Sequence, residues 1–92
     1  MADIEARIII RGRVTGVGFR SLLQREAYNR HLRGWVRNRE DRGVEAVLQG
    51  SPEHVHAVIA WAKVGPKGAV VDNVLVTEEE LTELPAEFEV RP

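Results

Sequence analysis

The sequence predicts an α+β fold, a two-layer sandwich with two helices on one face of a four-stranded antiparallel sheet. Three observations predict it. Residues 6–13 and 44–49 alternate along the chain with the period of half-buried strands, and residues 35–38 and 70–77 read as two further strands. Two other stretches, after Gly18 and after Ser51, repeat their apolar residues at helical spacing. Read along the chain, these segments fall in the order β-α-β-β-α-β.

The first strand is Ala6 to Arg13, with Ala6, Ile8 and Ile10 on one face and Arg7, Ile9, Arg11 and Arg13 on the other. The glycine-punctuated run Gly12-Arg13-Val14-Thr15-Gly16-Val17-Gly18 leads into a helix that starts at Phe19-Arg20-Ser21. Phe19, Leu22, Leu23 and Ala27 share a side of it, and the next glycine places its stop near Gly34. Trp35 to Asn38 is a second strand, Arg39-Glu40-Asp41-Arg42-Gly43 a hairpin turn, and Val44 to Gln49 a third strand. Ser51 is the N-cap of a second helix, with Pro52 at its first position and Glu53 complementing the helix dipole. Val55, Val58, Ile59 and Ala62 form its apolar stripe, and Gly65-Pro66 ends it after Lys63. Val70 to Thr77 is the fourth strand. Thr77-Glu78-Glu79-Glu80 has the spacing of a capping box and is expected to open one short helical turn. The Glu78–Glu80 run with Leu81 and Leu84 reads as a solvated loop with two core contacts, and Phe88 to Arg91 could pair as a short fifth strand. The whole is the ferredoxin-like plan, which hosts enzymes, RNA binders and ligand sensors alike and so leaves function open.

Composition narrows the choices. A chain of 92 residues, 43% apolar and 29% charged, fits one small soluble domain spanning residues 1–92. With no cysteine it has neither a thiol nucleophile nor a disulfide nor a Cys-based metal site. Met1-Ala2-Asp3-Ile4-Glu5 lacks the start of a secretion signal, and no apolar run suits a membrane span, so a cytoplasmic protein is expected. The net charge of −1 conceals an asymmetry: residues 1–46 carry ten Lys and Arg against six Asp and Glu, whereas residues 47–92 carry three against eight. In a nearly neutral protein this suits a local site for a small anion better than a track for a polynucleotide.

The segment that carries chemistry is Gly12 to Arg20. A loop with glycines at 16 and 18 can turn successive N–H groups inward as an anion nest, and the helix start behind it adds unpaired N–H groups and a positive dipole end. Arg20 stands in the first helical turn, where a cation opposes the dipole unless an anion lies between them. A guanidinium can also grip two phosphoryl oxygens at once. The same residues could be a plain glycine turn followed by a solvated arginine. The second element is Asn38. If the first two strands run parallel, as a strand-helix-strand unit requires, Asn38 lies at the loop's end of the sheet, although an Asn before a hairpin is also a common turn former.

Here the sequence resembles the acylphosphatase family. Gly12-Arg13-Val14-Thr15-Gly16-Val17-Gly18-Phe19-Arg20 is similar to its first signature, and Gly34-Trp35-Val36-Arg37-Asn38 through Gly43-Val44-Glu45-Ala46 to Gly50 to its second. The likeness runs essentially from end to end, Gly65-Pro66 and Phe88 included. It implies the ferredoxin-like sandwich and hydrolysis of acyl phosphates to carboxylate and inorganic phosphate by direct attack of water, with no metal or other cofactor. Arg20 matches the phosphate-binding arginine and Asn38 the residue that positions water, with Thr15, Gly16, Val17, Gly18 and Phe19 completing the phosphate loop. The partners implied are a small acyl phosphate and, as competitors, inorganic phosphate or sulfate; the chain is expected to be a monomer. Two departures stand out: Thr15 where the family usually has glutamine, and Asp41-Arg42-Gly43-Val44 where it usually has Asp-Gly-Xaa-Val.

Other residues carry less. His54 and His56, two apart on a helix, diverge and make a poor metal pair, and His31 near the end of the first helix suits the dipole there. Arg7, Arg11, Arg13 and Arg37 share a sheet face and could meet RNA, but Ile8–Ile10 and Val44–Gln49 offer no aromatic platform, so no nucleic-acid partner is expected. Trp61 is expected to pack. A non-catalytic module, like acylphosphatase-like segments within larger enzymes, is the competing reading.

Overall fold

The computed structural model describes residues 2–92; Met1, part of the reading on secretion signals, lies outside them. The elements are β1 (Ile4–Arg13), α1 (Phe19–Asn29), β2 (Arg33–Asn38), β3 (Val44–Gly50), α2 (Pro52–Val64), β4 (Val70–Glu79) and β5 (Glu89–Arg91). They form the ferredoxin-like sandwich, with sheet order β4-β1-β3-β2-β5. The sheet has five strands: β1 to β4 are antiparallel neighbours, and β5 adds a parallel edge to β2 over Trp35–Arg37.

The predicted alternation decides what is buried. Ala6, Ile8 and Ile10 of β1 and Val44, Ala46 and Leu48 of β3 face the helices. Phe19, Leu23 and Ala27 of α1 and Val55, Val58, Ile59 and Ala62 of α2 meet them to form one core, and Trp61 packs edge-on against Phe19 at 5.4 Å between ring centres. β3, in the middle of the sheet, is buried on both faces, so its polar positions Glu45 and Gln49 are covered as well.

Three expectations need correction. α1 ends at Asn29 rather than near Gly34. The chain leaves it through paired bonds from the His31 N–H to the Tyr28 carbonyl and from the Leu32 N–H to the Ala27 carbonyl, with His31 left-handed at φ 60°. His31 therefore lies beyond the helix. Gly34 belongs to β2, where a Cβ would collide with the Val47 carbonyl of β3; close approach between strands, not helix termination, requires glycine there. Thr77–Glu80 opens no helical turn. β4 continues to Glu79 because its ladder with β1 continues, pairing Thr77 with Arg7 and Glu79 with Glu5, and Arg7 Nε lies 3.1 Å from the Glu79 carboxylate. Leu81 is exposed rather than a core contact.

The β2–β3 hairpin, which holds Asn38, closes through the Arg39 N–H on the Gly43 carbonyl at 2.8 Å. Its left-handed residue is Arg42, at φ 70°, not the glycine that follows. The family's usual residue order puts its glycine at this position. Arg42→Gly is therefore expected to stabilise the fold by about 0.5–1 kcal/mol, the left-handed penalty less the added chain entropy. Urea unfolding checks this as a raised midpoint at constant slope; an unchanged midpoint would show that Arg42 sits there without cost.

Candidate active site

Because β1 and β2 both pair antiparallel with β3, they run parallel to each other and end at the same edge of the sheet. Asn38 is level with Val44, and Val44 with Ile10, so the end of β2 lies beside the end of β1 and the loop that follows it. Between them is a cavity of about 140 Å³ lined by Val14, Thr15, Gly16, Gly18, Phe19, Arg20, Ser21 and Asn38. The topology has thus brought Arg20 and Asn38, far apart in sequence, to one small recess.

The loop owes its shape to its glycines. Gly16 and Gly18 have φ values of 74° and 73°, and a Cβ at either would meet open space, so glycine is there for the backbone angle rather than for room. Gly18 is also the N-cap of α1. It supplies no capping side chain, and the first turn carries no acidic residue. α2 starts very differently, with the Ser51 hydroxyl accepting from the His54 N–H at 3.4 Å and Glu53 in its first turn. One helix has its positive end capped within the chain, while the other leaves its first-turn N–H groups open beside a cavity.

Arg20 is half-buried. Its Nη1 donates to the Arg91 carbonyl of β5 at 2.7 Å, and one helical turn on, Gln24 Nε2 donates to the Phe88 carbonyl at 3.3 Å. The last strand therefore orients the guanidinium, leaving its other donors for the cavity. Nothing in the sequence marked Arg91 for this, because the acceptor is a main-chain carbonyl. Of the predicted loop residues, Val17 does not line the cavity; its side chain packs against the core. Ser21 does line it and had gone unassigned. Its signal was position, the third residue of a helix whose start had been correctly placed.

The chain matches the family model described as Acylphosphatase over residues 6–90. A Pyrobaculum islandicum protein named acylphosphatase is 46% identical over 93 aligned positions, covering 100% of this chain and 98% of that protein. The chain belongs to the acylphosphatase family. Among solved structures, the acylphosphatase from Bacillus subtilis superimposes with a TM-score of 0.92 at 37% identity, covering 97% of this chain and 99% of that one. HypF of T. kodakarensis superimposes with a TM-score of 0.82 at 31% identity over 97% of this chain, but only 12% of HypF is covered. The likeness thus extends both to a free-standing acylphosphatase and to a segment of a larger protein.

The second departure from the acylphosphatase pattern changes little near the cavity, since Arg42 takes up the angle that glycine would have and Asn38 still pairs with Val44. Three of the four arginines assigned to the open sheet face, Arg7, Arg11 and Arg37, are engaged elsewhere. Glu45, its side chain only 6% exposed, receives Arg7 Nη1 at 2.6 Å and Arg37 Nη2 at 2.7 Å. Burial pushes the Glu45 carboxyl up, but the bonds from Arg7 and Arg37 outweigh it and hold the group below the usual carboxylate range. Arg11 is likewise paired with Asp41. The aromatic residue that the sequence reading of this face omitted is Trp35, which has the Arg7, Arg37 and Arg91 guanidiniums 5.8, 6.0 and 5.0 Å from its ring centre.

Proposed function

We propose that the protein is an acylphosphatase that hydrolyses acyl phosphates by direct attack of water, with Arg20 and Asn38 as its catalytic residues. The observation that carries this reading is the shared cavity: an uncapped helix start, a glycine loop, one guanidinium and one carboxamide lining the same 140 Å³. The main-chain N–H groups of residues 15–20 and the free donors of Arg20 hold the phosphoryl oxygens, while the Asn38 amide aligns water opposite the leaving group. The water oxygen bonds to phosphorus, and the bond from phosphorus to the acyl oxygen breaks. The carboxylate leaves with the electron pair, and the water's protons remain on the phosphate or pass to solvent.

So small a set suffices because of the leaving group. A carboxylic acid has a pKa near ~4, so the carboxylate departs without being protonated. Phosphoryl transfer passes through a loose state with charge on its equatorial oxygens, which fixed donors stabilise without a strong base. The site therefore needs positioning and electrostatics, and no metal or cofactor has a step to perform. The reading includes a monomeric, single-domain chain acting in the cytoplasm, with inorganic phosphate or sulfate as competing anions. No helix among the described residues is long and apolar enough to cross a membrane.

Purified protein is expected to hydrolyse acetyl phosphate and benzoyl phosphate with a metal chelator present, and inorganic phosphate to inhibit competitively. Binding of phosphate without turnover would make the chain a ligand-binding module instead.

A further inference from the structure

Two hydroxyls lining the cavity, those of Thr15 and Ser21, are not used by the reading above, and of the two Ser21 is the one set on the helix. It is the third residue of α1, and helical side chains lean back toward the N-terminus, which carries its hydroxyl over the first turn. Serine near a helix start commonly accepts from a main-chain N–H, as Ser51 does at the start of α2. Ser21 does not: no hydrogen bond among the described residues engages its hydroxyl, and the residue is exposed, so packing does not explain it. Meanwhile Arg20 has one of its terminal nitrogens committed to the Arg91 carbonyl, which leaves phosphoryl oxygens with unfilled acceptor sites.

We infer that Ser21 is a further substrate-binding residue, whose hydroxyl donates to a non-bridging oxygen of the phosphoryl group. This rests on the acyl phosphate reading of the same cavity. A neutral donor suits the chemistry, because the product is itself a phosphate anion and a second cation would slow its release. The hydroxyl forms a charge-assisted bond and adds no net charge. The same contact is available to substrate, transition state and product, so its loss weakens all three alike.

The test uses three variants with acetyl phosphate as substrate and inorganic phosphate as probe. Ser21→Ala is expected to raise KM and the inhibition constant of phosphate together, by roughly fivefold to tenfold, with kcat within about twofold. Ser21→Thr keeps the hydroxyl and is expected to keep both constants near those of the parent. Ser21→Asp separates binding from folding: a carboxylate in the first turn suits the dipole and raises the ligand-free Tm, yet it repels the anion and abolishes the rise in Tm on adding phosphate. Unchanged KM and inhibition constant in Ser21→Ala, or a phosphate-induced rise in Tm retained in Ser21→Asp, would overturn the inference. The melting measurement needs no turnover, so it can be read even if the parent chain fails to hydrolyse acetyl phosphate, a result that would count against the parent reading alone.

Discussion

The Arg20→Lys variant is expected to lose at least ~10²-fold in kcat/KM for acetyl phosphate, with its unfolding midpoint unchanged. The charge survives this substitution; the geometry does not. Arg20 Nη1 is held by the Arg91 carbonyl at 2.7 Å, and the planar guanidinium then presents its remaining N–H groups in a fixed direction. An ammonium is a single nitrogen. It can bond the carbonyl or approach the phosphoryl group, but it cannot do both along the lines the guanidinium uses. A hundredfold loss corresponds to about 2.7 kcal/mol of transition-state stabilisation, the scale of one preorganised donor. Steady-state kinetics on folded protein would measure it. Activity within threefold of the parent would mean that charge alone, and not the fork, is what Arg20 contributes.

Asn38→Ala is expected to lower kcat by about 10²-fold while shifting the inhibition constant of phosphate by no more than about threefold. The split follows from the role assigned to the amide: it aligns the nucleophile, and phosphate held by the loop and Arg20 does not need that contact. Asn38 closes β2 opposite Val44, so removing its side chain leaves the strand ladder intact. Equal losses in kcat and phosphate affinity would place the amide on the phosphoryl group instead.

How much of this could be read beforehand depended on how local the cause was. The loop and helix start beside the cavity were legible because their determinants lie within a few residues: glycines that allow positive φ, and an apolar repeat that dates the helix start from Phe19. The start of α2 was legible for the same reason, through Ser51 and Pro52. The adjacency of Asn38 needed one topological rule, that strands joined by a helix run parallel, and the structure places it on the predicted wall. What escaped was set from a distance. The capping-box spacing at Thr77 is a local signal, overridden by a β1 ladder whose partners are some 70 residues away. Gly34 read as a helix stop because nothing nearby shows that β3 presses against it. Val17 sits within the loop motif with its side chain packed against the core, which leaves its main-chain N–H as the group the proposed anion site would use. The brace on Arg20 from β5 was invisible, because a carbonyl acceptor carries no residue identity.

The most direct measurement is a crystal structure of the chain with sulfate or phosphate at high concentration. The account predicts a tetrahedral anion in the recess between Thr15 and Arg20, held by main-chain N–H groups and by the Arg20 guanidinium, with Asn38 across from it and Arg20 still braced on the Arg91 carbonyl. An anion bound elsewhere while this recess stays empty, with Arg20 turned out to solvent, would contradict it.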